Sequence, residues 1–241
     1  MKSLAAVSYT VFFGSLAAWA FLAVGGLFVN QIADIFASML VAPAILVGAL
    51  MMLVYAIIKP SWTKAREVVI AFAVGAGLLI AEPQLRTAGL ELYWALREAQ
   101  ANEFVAELLS YARIREMDSG DRYFKELNGD LIAYEAAQVD TRHVDGLRPT
   151  LPVQTVLRRD GIDPRVYELF RQRLRSLGFI HVEVRDDYVA FVRDGILDNV
   201  YGFVWIRPGH HAPAAGSAFV DETELVLLRP LGGHWHFFAT T

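Results

Sequence analysis

Histidine is concentrated near the carboxyl end of this sequence, where five of the six histidines follow residue 180. Side chains two residues apart in a β-strand point to the same face, so His234 and His236, on either side of Trp235, can approach one metal ion. His210 or the adjacent His211 can supply a third ligand. The spacing gives a candidate zinc site at His234, His236 and His210, although ordinary structural or interfacial histidines are the interpretation that we prefer.

Other catalytic signatures do not occur in the sequence. None of the serines lies in the Gly-x-Ser-x-Gly motif of hydrolases, and neither a P-loop nor a dinucleotide-binding fingerprint is present. The chain has no cysteine, which excludes disulfides, thiolate metal ligands and cysteine nucleophiles. An enzyme is therefore not indicated, and the one catalytic alternative is a metal-dependent reaction at the histidines.

Charge divides the chain into two parts of different composition. The charged residues within 1–81 are Lys2, Asp34, Lys59, Lys64, Arg66 and Glu67. The remaining residues carry 18 basic and 24 acidic side chains. The first part has the composition of a membrane segment and the second that of a soluble domain, whose excess of negative charge argues against a nucleic-acid partner.

Three apolar runs predict a transmembrane anchor over residues 1–85, in contact with the lipid bilayer. Residues 4–29 and 35–58 contain no charged side chain and exceed the roughly 20 residues that span a bilayer. The third run, 68–81, has only 14 residues, and a re-entrant segment is the alternative there. Its flanking residues extend the run, so we predict a third crossing at about 67–85.

The loops between these helices predict the orientation of the anchor. Residues 30–34 include no basic side chain, whereas residues 59–66 include three. Cytoplasmic loops carry the excess of Lys and Arg, so the domain after the third crossing is expected in the periplasm, outside a bacterial inner membrane. A signal peptide cleaved near residue 20 is the alternative for the first run, and it leaves this orientation unchanged.

Residues 86–241 are expected to form a soluble α+β domain that begins with helices. The first is predicted over 86–116, as one kinked helix or two short ones. The second, 164–177, has the clearest start in the chain, with Asp163 as N-cap and Pro164 in the first helical position. Its predicted buried stripe consists of Val166, Phe170, Leu174 and Leu177.

Strands are predicted for most of the remaining domain. A short strand is expected at 153–157, and five strands at close intervals are expected within 179–240. Residues 199–207 are apolar on both faces, which is typical of a central strand. The expected architecture is an antiparallel meander sheet with helices packed on it.

These observations favour a membrane-anchored binding protein. The three apolar runs have no Asp, Glu, His, Lys or Arg in their interior, where a transporter normally keeps one. We expect the extracytoplasmic domain to bind another protein, as an immunity protein against an envelope toxin or as an accessory of an envelope complex. The alternatives are a metal-dependent envelope enzyme that uses the carboxyl-terminal histidines and a subunit of a larger membrane transport complex.

Overall fold

The structure is a computed structural model that describes residues 2–25, 31–58, 60–120, 126–134, 149–196, 199–220 and 223–241. Within these residues the chain has an α+β fold with six helices and one mixed sheet of nine strands. Its contacts divide it into two compact units, Met1–Leu96 and Arg97–Thr241. We call the first the helical unit and the second the sheet unit.

The helical unit consists of α1 (Lys2–Gly25), α2 (Gln31–Ile58) and α3 (Trp62–Ala95). Each helix contains a stretch long and apolar enough to cross a membrane. α3 has 34 residues, about 51 Å at 1.5 Å per residue, and runs well past the predicted end at residue 85. It therefore has the length for a full crossing, while residues 26–29 of the first predicted helix lie outside the described residues.

A small apolar core holds the three helices of this unit together. Phe12 and Leu16 of α1 are buried with Met52 of α2 and Ala71 of α3. α1 and α2 approach closely at Gly48, where an added Cβ would lie 2.7 Å from the backbone nitrogen of Phe12. Only glycine lets the two backbones approach this closely.

The sheet unit contains the remaining helices and all the strands described. Its helices are α4 (Glu98–Tyr111), α5 (Val153–Arg159) and α6 (Pro164–Ser176). Its strands are β1 (Glu116–Asp118), β2 (Glu126–Leu127), β3 (Asp130–Ala133), β4 (Thr150–Pro152), β5 (His181–Val184), β6 (Tyr188–Ile196), β7 (Asn199–Ile206), β8 (Leu225–Gly232) and β9 (Trp235–Thr240). Their order in the sheet is β4-β3-β2-β1-β5-β6-β7-β9-β8, and the pair β3–β4 is parallel.

Helix α6 follows the sequence prediction closely. The Asp163 side chain accepts a hydrogen bond of 2.7 Å from the backbone N–H two residues further on, which caps the helix. Phe170 and Leu174 are buried as expected, but Tyr167 is buried where the prediction placed Val166. The pattern identified the helix and most of its buried face.

Aromatic rings fill the core between the sheet and its helices. The Phe104 ring of α4 lies 5.6 Å from that of Phe170 in α6 and 5.9 Å from that of Phe191 in β6. Phe191 continues the cluster to Phe179, at 5.1 Å, and to Trp235, at 5.8 Å. These contacts join α4 and α6 to the middle of the sheet.

The opposite face of the sheet is also apolar. Ala190 and Val192 of β6 cluster there with Val204 of β7 and Phe238 of β9, and Phe219 packs against them. Strand β7 therefore has buried side chains on both faces and neighbours on both sides, as predicted for a central strand.

Two predicted elements differ in the structure. Residues 153–157, expected as a strand, belong to α5, whose buried side chains recur at the three- and four-residue spacing of a helix. The helix predicted over 86–116 is interrupted at Leu96, resumes as α4 and ends at Tyr111, and Glu116 already begins β1. Neither one kinked helix nor two short ones describes that stretch, because residues 86–95 continue α3 and only α4 is a separate short helix.

The sheet is larger and less regular than the predicted meander. Four short strands, β1–β4, extend it on one side and make it mixed rather than antiparallel. On the other side β9 lies between β7 and β8, out of sequence order. Strand β9 buries Trp235 and Phe238 in this inner place, whereas β8 at the edge exposes Val226 and Leu227.

Candidate functional site

The three predicted zinc ligands lie near one end of β9 or in the loop after β7. His234 is exposed and precedes β9, with its ring 5.8 Å from that of Trp205. His236 is half-buried within β9, and His210 is exposed. One group of potential metal-ligand atoms among the described residues lies within 4.8 Å of one another, and it includes none of these three histidines. Zinc binding at His210, His234 and His236 stays a prediction.

A different cluster of acidic and imidazole side chains forms where β1, β2 and β5 adjoin. In the β1–β5 ladder Glu116 is opposite Glu183, and Asp118 is opposite His181. Directly paired residues share a face, and so do residues two apart, which places these four side chains on one face of the sheet. Leu127 of β2 pairs with Met117 of β1, so these two side chains share the opposite face. The adjacent Glu126 therefore lies on the same face as Glu116 and Asp118.

The imidazole of His181 is at the centre of this cluster and is fully buried. Its Nδ1 lies 3.3 Å from Oδ1 of Asp118, and its Nε2 lies 3.8 Å from Oε1 of Glu116. Asp118, also fully buried, accepts a 2.6 Å hydrogen bond from the backbone N–H of Glu126 through its other oxygen. Asp118 therefore links the ring to the adjacent strand and fixes its orientation.

The cluster has the donor set of a divalent-metal site. Ligand atoms from Glu116, Glu126 and His181 all lie within 4.8 Å of one another. Carboxylate oxygen and imidazole nitrogen are ligands of zinc and related divalent ions. The same groups can form a hydrogen-bonded polar network without metal.

A second polar group contacts Ser119, the residue that follows Asp118. The hydroxyl oxygens of Tyr134 and Tyr167 are 2.6 Å apart, and the Arg171 guanidinium lies 4.3 Å from the centre of the Tyr134 ring. Arg171 also donates to the backbone oxygen of Ser119. Burial raises the pKa of both tyrosines above the ordinary value, so both remain neutral at physiological pH.

Sequence reasoning missed this cluster because its elements were missed. His181 fell in a predicted strand, but Glu116 lay in a predicted helix and Glu126 in a stretch without an assigned element. The available signal was the alternation of Glu116 with Asp118, which matches a strand and follows a helix end at Tyr111. Pairing of β1 with β5 joins residues more than 60 positions apart, and no local pattern encodes it.

The outer edge of β8 is the other notable surface of the sheet unit. Among its described residues the large apolar side chains that are exposed are Leu169, Val226 and Leu227, and the last two are adjacent on the outermost strand. The backbone of Leu225 is bonded to residues 216 and 217, which cover the start of the edge. The pairing of β8 with β9 has two bulges, one at Val226 between Leu225 and Leu227 and one between Pro230 and Gly232. The open part is therefore short.

Comparison with known proteins supplies no function for these surfaces. No protein-family model, no curated protein and no solved structure matches this chain. Its candidate functions rest on the three apolar helices, the His181 cluster and the open edge of β8.

Proposed function

We propose that the chain is a multi-pass inner-membrane protein whose sheet unit lies on the periplasmic side. Three helices of the helical unit are long and apolar enough to cross a membrane. Residues 59–66, which include the start of α3, carry Lys59, Lys64 and Arg66, and these charges favour the cytoplasm for this end of the helix. Trp62, at 84% exposure, suits the membrane interface beside these charges.

Reporter fusions test this orientation. Alkaline phosphatase fused after Thr241 is expected to be active and a fluorescent protein fused there to be dark, because three crossings bring the carboxyl end out of the cytoplasm. The same two reporters fused after Pro60 should give the opposite pair of results and serve as the control. An inactive phosphatase with a bright fluorescent protein at Thr241 would contradict the proposal.

In this location the sheet unit is proposed to bind another protein, as an immunity-type protein or an accessory of an envelope complex. The observation that carries this proposal is the adjacent pair of exposed apolar residues, Val226 and Leu227, on the outermost strand. An edge strand offers backbone groups to an extended segment of a partner, and apolar side chains strengthen the contact. Pro230 and the two bulges of β8 limit the added segment to the few residues that can pair with 227–229.

Site-specific photocrosslinking in living cells tests the binding surface. A photoreactive residue at position 227 is expected to form an adduct of defined mass, whereas one at position 169, an exposed leucine on α6, is not. The double substitution Val226→Lys and Leu227→Lys should abolish copurification of the same partner without lowering the melting temperature. Equal adducts at both positions, or copurification that survives the lysines, would contradict the proposal.

A further inference from the structure

We infer that Glu116, Glu126 and His181 bind one divalent transition-metal ion that joins strands β1, β2 and β5. This site is separate from the proposed protein-binding edge. The three ligand atoms come from three strands that adjoin in the sheet, and all lie within 4.8 Å of one another.

The distance between the imidazole and Glu116 fits two ligands of a common metal. Nε2 of His181 and Oε1 of Glu116 are 3.8 Å apart, which exceeds the roughly 3.2 Å limit of a good hydrogen bond. Two ligands of a tetrahedral zinc, each about 2.1 Å from the ion, are about 3.4 Å apart. All three ligand atoms lie within 4.8 Å of one another, so binding at this spacing requires the two half-buried glutamate side chains to close by at most about 1.4 Å.

Asp118 provides the outer contact that metal-binding histidines typically have. A ligating imidazole usually donates its other ring N–H to a carboxylate or a carbonyl, which fixes the tautomer and the ring orientation. Nδ1 of His181 faces Oδ1 of Asp118 at 3.3 Å, and the second oxygen of Asp118 is held by the Glu126 backbone. With the proton on Nδ1, the lone pair of Nε2 points toward Glu116.

The donor set selects the class of metal. One imidazole with two carboxylates suits zinc, manganese or ferrous ion, whereas calcium and magnesium prefer oxygen ligands throughout. Three protein ligands leave a fourth zinc position for water.

The position of the site assigns the ion a structural role. β1 has three residues and β2 has two, so few ladder hydrogen bonds fix this side of the sheet. A metal bound to three neighbouring strands restrains their register, and this chain has no cysteine to do so by a disulfide.

Metal binding by the detergent-solubilised full chain tests the inference. After removal of metal by a chelator and dialysis, titration with Zn²⁺ is expected to give about one ion per chain and a higher melting temperature. Cobalt at the same site should give visible absorption bands. Glu126→Gln keeps the shape of the side chain and should weaken zinc binding by 10-fold or more.

Two further variants separate this site from the predicted carboxyl-terminal one. His234→Ala combined with His236→Ala is the matched control and should leave zinc stoichiometry and affinity unchanged. Glu116→Gln provides a second ligand substitution in case Glu126→Gln does not fold. The inference is overturned if the parent binds no stoichiometric zinc, if both glutamine variants bind it as the parent does, or if the double histidine variant loses it.

Discussion

Phe170 illustrates how much of the sheet unit's stability depends on single aromatic side chains. Its ring is 4% exposed and contacts the rings of Phe104 and Tyr111 edge-on. Phe170→Ala is expected to lower the free energy of unfolding by about 3–5 kcal/mol, because it removes buried surface and leaves a cavity. Leu169, the preceding residue, is exposed, so Leu169→Ala should change that energy by less than about 0.5 kcal/mol. Denaturant unfolding of the solubilised chain measures both, and equal effects would contradict this assignment of the core.

Tyr167 is expected to make the protein less stable as the pH rises in the alkaline range. Burial raises its pKa, and the Tyr134 hydroxyl beside it raises it further. Well below pH 10 the Tyr167 side chain is neutral in both the folded and the unfolded state, so its contribution to stability is fully present. Above pH 10 the unfolded state loses the proton that the folded state retains, and stability falls as pH rises.

Replacing Tyr167 tests this dependence directly. Between pH 8 and pH 11 the parent should lose about 1 kcal/mol more stability than Tyr167→Phe, which has no proton to release. The urea midpoints of the two proteins at both pH values give the difference. Identical losses would show that Tyr167 titrates alike in the folded and unfolded chains.

At the level of elements, two glycines of the helical unit differ sharply in their surroundings. An added Cβ at Gly48 would lie 2.7 Å from the backbone of Phe12, whereas at Gly77 it would meet no atom within 4 Å. Gly48→Ala should therefore separate α1 from α2 and cost about 1–3 kcal/mol, while Gly77→Ala should be neutral or slightly stabilising. Thermal denaturation in detergent measures both changes. A Gly48→Ala protein as stable as the Gly77→Ala control would exclude a close α1–α2 contact.

Elements with a strong local signal were predictable from the sequence, and those defined by pairing were not. α6 was predictable because Asp163 caps it and its apolar residues recur at helical spacing. The strands β5 to β7 were predictable because β5 lies in a run of alternating side chains, β6 begins as an apolar run after turn residues, and β7 is apolar on both faces. β1 and β2, with three and two residues, are too short for a pattern, and tertiary pairing with β5 creates them. The His181 cluster depends on that pairing, so it could not be predicted.

For the whole molecule, the two units follow from opposite solvent requirements. A bilayer leaves no partner for an open backbone group, so the first part of the chain must form long apolar helices, and hydropathy alone predicts them. The second part carries nearly all the charge and buries its own apolar surface on both faces of the sheet. The boundary between the two units, after Leu96, lies 11 residues beyond the predicted end of the third crossing at residue 85.

The sheet unit is therefore expected to fold without the helical unit. A fragment of residues 97–241 should be soluble, give a near-ultraviolet spectrum of ordered aromatic side chains and unfold cooperatively, because its aromatic core lies within those residues. A fragment of residues 113–241 is the control. It lacks α4, so Phe104 no longer lies between α6 and β6, and we expect it to aggregate or to lose the near-ultraviolet signal. If both fragments behaved alike, α4 would not belong to the core of the sheet unit. If the longer fragment failed to fold, the two units would depend on each other for stability.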